Sequence, residues 1–293
     1  MTTQRTAWPR LRLLRPHQWT KNILCLAGVF FSGKWSDTTA WHQSCIVVAA
    51  FCAASSFVYI VNDIFDREQD RLHRTKQRRP LASGELGVTQ AMLLAMVCLC
   101  IVCVLSCVLR WGVIGIIFGY ITLHLFYSLR LKNIALIDVM ILSIGFILRL
   151  LAGTAAANVR ASEWILLCTF FLALFMGFAK RRAEINNWGE QAESSRLVLG
   201  DYTIQMLDRF CNITGTLTIA CYALFTVLAH SGVPLVLTCP PAVFGVFRYI
   251  LLVERKAQGE APENLLLNDR PIQAALIIWF LTYAVVLYGS IGR

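Results

Sequence analysis

The chain is a succession of apolar runs, most of them long enough to cross a lipid bilayer, and this leaves few folds open to it. The runs are Trp19–Phe31, Trp41–Val61, Val88–Leu109, Val113–Leu129, Ile134–Gly153, Trp164–Ala179, Phe210–Leu228, Pro234–Val253 and Ile272–Ser290. A helix needs about 20 apolar residues to span a hydrocarbon core of about 30 Å. Trp19–Phe31 and Trp164–Ala179 are shorter and must draw on their neighbours or end at the interface. Within lipid every backbone polar group must be paired internally, which admits only helices and closed barrels. The runs are continuous rather than alternating, so a barrel is excluded. Charged residues make up 15% of the chain, against roughly a quarter in soluble proteins. The expected fold is an all-α polytopic membrane protein with nine transmembrane helices. No linker or low-complexity stretch divides it, so residues 1–293 are expected to form one domain.

The cations set the orientation. With the N-terminus inside, 22 of the 27 Lys and Arg fall on the cytoplasmic side. Lys34, Arg110, Arg160 and Arg293 fall outside, and Arg149 lies within a span. Positive charge is retained on the cytoplasmic side of short loops, so the expected topology is N-in, C-out in the cell membrane, with the chemistry facing the cytoplasm. The net charge of +10 is therefore a topology signal and does not point to a nucleic-acid partner. Membrane lipid is a partner by necessity, and anionic headgroups could account for many of the cations. No small-residue cleavage site follows the N-terminal Arg residues, so no removable signal peptide is expected. Most of the 11 cysteines lie inside apolar runs. Cys100-x-x-Cys103 sits mid-span and reads as small apolar packing, with no disulfide implied. The five histidines have no metal-ligand spacing.

At the end of the second run the sequence turns abruptly into VNDIFDREQDRLHRTKQRRPLASGEL, residues 61–86. On a helix Asp63, Asp66 and Asp70 share one face over about 10 Å. Three carboxylates so placed repel one another unless a cation lies among them. Magnesium takes carboxylates together with diphosphate oxygens and water. Asn62 precedes the acids. Arg71, Arg74, Lys76, Arg78 and Arg79 follow them and supply cations for the remaining diphosphate oxygens. Pro80 and Gly84 bracket a turn. The plain alternative, a solvated acidic helix end with compensating Arg, does not explain its place at the mouth of a membrane helix.

Three further groups carry polar chemistry. In Arg15-Pro16-His17-Gln18-Trp19-Thr20-Lys21-Asn22, Trp19 suits the interfacial belt. Lys21 either snorkels or, with Asn22, faces the bundle interior and meets an anion. Tyr127-Ser128-Leu129-Arg130-Leu131-Lys132 is followed by Asp138 and Arg149 in the fifth run. Asp138, near its cytoplasmic end, is the site candidate. Arg149 lies about 16 Å further along the helix, and either residue could simply pair with other helices. Lys180-Arg181-Arg182-Ala183-Glu184 closes the sixth run. It is open to reading as an interfacial stop signal, as a Lys180–Glu184 surface pair, or as an anion site.

Asn62-Asp63-x-x-Asp66-x-x-x-Asp70 with Arg79-Pro80-Leu81-Ala82-Ser83-Gly84 resembles the first signature of the UbiA superfamily of membrane prenyltransferases, over nearly the full chain. The resemblance implies nine helices around a central cavity and aspartates that hold a magnesium–diphosphate. Members that use prenyl diphosphates carry a second motif of the DxxxD type after the sixth helix. Here Glu184, Glu190, Glu193, Asp201 and Asp208 do not have that spacing. Arg15-Pro-x-x-Trp19-x-Lys21-Asn22, Tyr127-Ser-x-x-Leu131-Lys132, Asp138 and Lys180-Arg-x-x-Glu184 instead resemble the decaprenyl-phosphate phosphoribosyltransferase branch. That branch moves 5-phosphoribose from phosphoribosyl diphosphate to a polyprenyl phosphate, towards decaprenylphosphoryl arabinose of the cell envelope. The resemblance implies Mg2+ on Asp63, Asp66 and Asp70, catalytic roles for Asp63, Asp66 and Asp138, and substrate binding by Lys21, Asn22, Asn62, Lys76, Arg78, Arg79, Tyr127, Lys132, Lys180, Arg181 and Glu184. It is compatible with a homo-oligomer. The competing enzyme is an aromatic prenyltransferase of the 4-hydroxybenzoate or quinone-pathway type, with a second metal site built from Glu184 and Asp201 or Asp208. A transporter fits less well, because transporter sites lie near the midplane and between repeats.

Overall fold

The computed structural model of the chain describes residues 9–72, 76–188, 197–228, 234–256, 265 and 268–291. Arg5, Arg74, Glu190, Glu193, Arg196 and Arg293 lie outside the described residues. The elements are α1 (Pro9–Leu14), a 3₁₀ stretch Pro16–Leu26, α2 (Ala27–Phe31), α3 (Thr38–Phe65), α4 (Arg67–Leu72), α5 (Val88–Ser106), α6 (Trp111–Leu129), α7 (Ile137–Ala156), α8 (Glu163–Trp188), α9 (Ile204–Leu228), α10 (Cys239–Lys256) and α11 (Arg270–Ile291), joined by short 3₁₀ turns. No strand occurs among the described residues. Eight helices among them are long and apolar enough to cross a membrane.

The expected span Trp19–Phe31 is not one of the eight. Pro16 has no N–H to donate, and Arg15 before it adopts a left-handed backbone with φ of 52°, which a side chain other than glycine rarely takes. The chain then runs as 11 residues of 3₁₀ helix before five residues of α-helix. The sixth run departs from expectation in the other direction. Helix α8 continues through Lys180, Arg181, Arg182 and Glu184 to Trp188, so these residues stand on a helix rather than in a loop. Asp208 likewise lies on α9, which begins at Ile204.

The chain divides into two compact units. The first comprises Met1–Lys132 and Leu148–Arg160. Its spine is α3, started by the Asp37 carboxylate, which accepts a hydrogen bond from Ala40 N at 2.9 Å. Helix α3 packs against α5, α6 and the 3₁₀ stretch. Val47, Phe51, Val58, Val102, Ile117 and Tyr120 fill the core between them. The C-terminal half of α7 meets the 3₁₀ stretch backbone to backbone. A Cβ at Gly153 would lie 2.0 Å from Cys25 O, and one at Gly28 would lie 2.8 Å from Gly153 O, so both glycines are dictated by space.

The second unit comprises Asn133–Ile147 and Ala161–Arg293. Helix α8 packs along α9, and α10 packs against α9 and α11. Val139, Phe175, Phe178, Leu207, Tyr249 and Leu252 form its core. Asp269 starts α11 by accepting from Ile272 N at 3.0 Å and also receives Arg248 of α10 at 2.9 Å.

Candidate active site

In the first unit the acidic sequence builds a buried cluster of alternating charge. Helix α3 carries Asn62 and Asp63 and ends at Asp66, whose N–H donates to Asn62 O at 2.9 Å. Helix α4 starts at once, with Asp70 N–H donating to Asp66 O at 2.8 Å. The helix is therefore interrupted at Asp66, and the three carboxylates do not share one environment as the sequence spacing implies. Asp63 and Asp70, seven residues apart, do meet one partner: Arg79 Nη1 donates to Asp63 Oδ1 at 3.0 Å and to Asp70 Oδ2 at 2.6 Å. Arg15 Nη2 donates to Asp63 Oδ1 at 2.5 Å. Asp66 turns elsewhere, to Lys132 Nζ and to Asn62 Nδ2 at 2.9 Å. Three carboxylates thus stand against Arg15, Arg79 and Lys132. The Asp63 and Asp70 side chains are only 2% and 5% exposed, so charges unmatched at this depth would be costly.

Local packing explains how Arg79 is delivered. Leu81 and Leu86 insert into an apolar cluster with Leu13, Ile60, Ala91 and Ala95. Gly84 turns the loop with φ of 80°. Arg12 clamps it from outside, donating to Arg78 O at 2.7 Å and to Glu85 at 3.1 Å. Arg78 contributes its carbonyl to that clamp and leaves its side chain exposed, while Lys76 is half-buried.

The donor set suits magnesium. Among the described residues no three His, Cys, Asp or Glu converge as a complete metal cage. Magnesium does not need one, because it binds one or two carboxylates and takes its other ligands from substrate phosphates and water. Arg15 and Arg79 use Asp63 Oδ1, and Arg79 uses Asp70 Oδ2. Asp63 Oδ2 and Asp70 Oδ1 accept no hydrogen bond from the described residues, which leaves two hard oxygens for a cation.

In the second unit Asp138, Arg181 and Glu184 come together. Asp138 is fully buried in the first turn of α7, and Arg181 of α8 is 1% exposed. Arg181 Nε donates to Asp138 Oδ2 at 2.7 Å and its Nη1 donates to Glu184 Oε2 at 2.5 Å. Sequence reasoning missed Tyr202. Its hydroxyl donates to Asp138 Oδ1 at 2.9 Å and accepts from Leu136 N–H at 2.6 Å. Burial raises the Tyr202 phenol well above its ordinary pKa, so it stays protonated and donates. Leu136 holds a left-handed φ of 66°, a strain of order 1–3 kcal/mol that the Tyr202 bond helps offset. Arg182 is spent on Asp208 and on Val253 O at 3.1 Å. Lys180 is half-buried beside them.

One expected ligand residue, Asn22, is engaged in packing. Asn22 is fully buried; it accepts from Arg149 Nε at 2.8 Å and donates to Ser55 Oγ at 3.4 Å. Arg149 also donates to Tyr120 Oη at 2.8 Å and lies 4.7 Å over that ring. An amide already holding a buried guanidinium is poorly placed to bind substrate, so Asn22 ties the 3₁₀ stretch to α7. Lys21 and Tyr127 are half-buried.

Comparison with known proteins places this geometry. A decaprenyl-phosphate phosphoribosyltransferase of Mycolicibacterium smegmatis is 32% identical over 301 residues, covering 96% of this chain and 92% of its own. That of Corynebacterium glutamicum is 34% identical over 289 residues, covering 95% and 86%. A solved UbiA homolog from Archaeoglobus fulgidus bound to GPP and Mg2+ superposes with a TM-score of 0.74 at 19% identity, covering 96% of this chain and 99% of that one. The UbiA prenyltransferase family model matches residues 22–268, a range that holds both the Asp63–Asp66–Asp70 cluster and the Asp138–Arg181 network, and the chain therefore belongs to the UbiA prenyltransferase family.

Proposed function

We propose that this protein transfers 5-phosphoribose from phosphoribosyl diphosphate to a polyprenyl phosphate, with magnesium, releasing diphosphate. One observation carries the choice of donor. Of the acids offered for a second metal site, Glu184 is paired with Arg181 and Asp208 with Arg182, while Asp201 is exposed. Lys180, Arg181 and Arg182 stand in succession there, and Glu184, Asp201 and Asp208 do not have the DxxxD spacing of a second magnesium motif, which favours phosphate groups over a second metal. The names of the relatives similar over most of the chain support the same donor and acceptor.

In the reaction a lipid phosphate oxygen attacks C1 of the ribose, and the bond from C1 to the diphosphate oxygen breaks. The attacking phosphate is already ionised, so no general base is needed. Asp63 and Asp70 would hold the magnesium, with Asp66 kept beside them by Asn62 and Lys132; the metal when bound supplies charge neutralisation of the departing diphosphate. Arg15, Arg79 and Lys132 hold the diphosphate oxygens by charge-assisted hydrogen bonds, with Lys76 and Arg78 at the approach and Asn62 orienting Asp66. Lys21, Tyr127, Lys180 and Arg181 serve the ribose 5-phosphate and the lipid phosphate, and Glu184 and Tyr202 fix Arg181 and Asp138.

The same proposal includes a single membrane domain of nine spans, N-in and C-out, in the cell membrane with the site facing the cytoplasm. The ninth span is the segment Pro16–Phe31. Eleven 3₁₀ residues at about 2.0 Å rise and five α residues at about 1.5 Å reach roughly 30 Å, the thickness of the hydrocarbon core. The 3₁₀ geometry lets an otherwise short run cross.

Membranes containing the protein, given labelled phosphoribosyl diphosphate or labelled prenyl diphosphate, test the donor directly. Label is expected in lipid product from the first only. Lys180→Ala and Arg181→Ala should raise KM for phosphoribosyl diphosphate or the polyprenyl phosphate about ten- to a hundredfold with little change in magnesium titration. Transfer from prenyl diphosphate, with the titration shifted by Glu184 or Asp208 variants, would replace this proposal with the aromatic prenyltransferase.

A further inference from the structure

The first unit contains a polar cavity remote from the carboxylates. Its volume is about 510 Å³, and Lys34, Asp37, Gln43, Arg110 and Asn158 contribute to its wall. Asp37 immediately precedes α3, and Asp63 lies 26 residues further on. At about 1.5 Å per residue the two are about 39 Å apart along the helix, which is close to the full thickness of a bilayer with its headgroup regions.

Tryptophans mark the depth of the cavity. Trp35 Nε1 donates to Phe30 O at 3.0 Å, Trp41 Nε1 donates to Trp35 O at 2.9 Å, and Trp111, next to Arg110, is 88% exposed. Three tryptophans at one end of a helical membrane unit form an interfacial belt, so the cavity opens at headgroup level on the face opposite the carboxylates.

Two cations converge there. Lys34 Nζ donates to Ala157 O at 3.2 Å and Asn158 O at 3.4 Å, and Arg110 Nη1 donates to Asn158 Oδ1 at 2.8 Å. Both steady the C-terminus of α7, where Asn158 turns with φ of 53°. This leaves most of the Arg110 donors and one of Lys34 without a partner among the described residues. The one carboxylate in the wall, Asp37, is already engaged in starting α3. Ile101 and Val104 on α5 and Val108, in the turn after it and in the cavity wall, form an exposed apolar stripe.

We propose that this cavity binds the phosphate of an anionic phospholipid in the leaflet opposite the catalytic carboxylates, with an acyl chain along the α5 stripe. The stripe favours a lipid over free phosphate, which has no use for it. The proposal does not depend on the reaction the protein catalyses.

The test is mass spectrometry of the intact full-length protein released from detergent and titrated with phosphatidylglycerol, phosphatidylcholine or inorganic phosphate. The parent is expected to bind one phosphatidylglycerol about ten- to a hundredfold more tightly than a Lys34→Gln/Arg110→Gln double variant, with phosphatidylcholine unaffected. Because both cations also hold α7, Val108→Asp is the companion variant. The valine is exposed in the cavity wall and, being apolar, makes no hydrogen bond to α7; the negative charge of the substitution should produce the same loss. Equal phosphatidylglycerol binding by the parent and Val108→Asp would overturn the proposal. So would cation-dependent binding of inorganic phosphate with lipid binding unchanged.

Discussion

Replacing Asp138 should reveal how the second unit is held. Asp138→Leu deletes the acceptor for Arg181 Nε at 2.7 Å and for the Tyr202 hydroxyl at 2.9 Å. Breaking a buried ion pair on one side typically costs 3–5 kcal/mol, because the other charge stays behind. Arg181 keeps Glu184 at 2.5 Å, so the low end applies, about 3 kcal/mol. Arg181→Met strands Asp138 instead. The first turn of α7 and Tyr202 still favour that carboxylate, so the cost is again about 3 kcal/mol. Replacing both with apolar residues removes both buried charges and leaves only the partly exposed Glu184 without its arginine, and such exchanges are often neutral or stabilising. Asp138→Leu/Arg181→Met should therefore lie within about 1 kcal/mol of the parent rather than near the 6 kcal/mol of two independent losses. Thermal unfolding of the purified protein in one detergent measures this. Each single variant should melt several degrees lower, and the double variant close to the parent. Transfer should be impaired in all three, with KM raised as for Arg181→Ala, which separates the stability of the network from its use. A double variant that melts as low as two additive single losses would refute the argument that these charges are coupled.

Asp63→Ala and Asp66→Ala should each abolish turnover while the protein remains folded in the membrane, and a chelator should silence the parent until magnesium is restored. Full activity of either variant in excess chelator would remove the metal from the mechanism. In a cysteine-free variant, Ser83→Cys should be shielded from an impermeant thiol reagent in intact cells and labelled after lysis; labelling from outside would invert the topology. Gly153→Ala places a Cβ 2.0 Å from Cys25 O, far inside any tolerable contact. Because the clash is with backbone, the cost should exceed the 1–3 kcal/mol usual for overpacking. Wild-type melting behaviour of this variant would contradict the close approach of α7 to the 3₁₀ stretch.

The sequence alone settled what the lipid solvent dictates. In hydrocarbon a backbone must satisfy itself helix by helix, so eight of the nine expected spans could be read as local apolar runs, and each is a helix long and apolar enough to cross a membrane. It also placed Asp63 and Asp70 on a common face, because seven residues bring a helix nearly back to its starting direction, and Arg79 does serve both. The rest depended on partners distant in sequence. Asp66 leaves that face because the helix is interrupted there and Lys132 draws it away. Tyr202 joins Asp138 across 64 residues, and a tyrosine beside a loop carries no periodic signal of such a role. Asn22 has the composition of a ligand residue, yet Arg149, 127 residues away, claims it for packing. Local patterns report the solvent each segment meets. Which buried charge faces which partner is fixed only when the helices pack, because an unpaired charge there costs more than any local preference can supply.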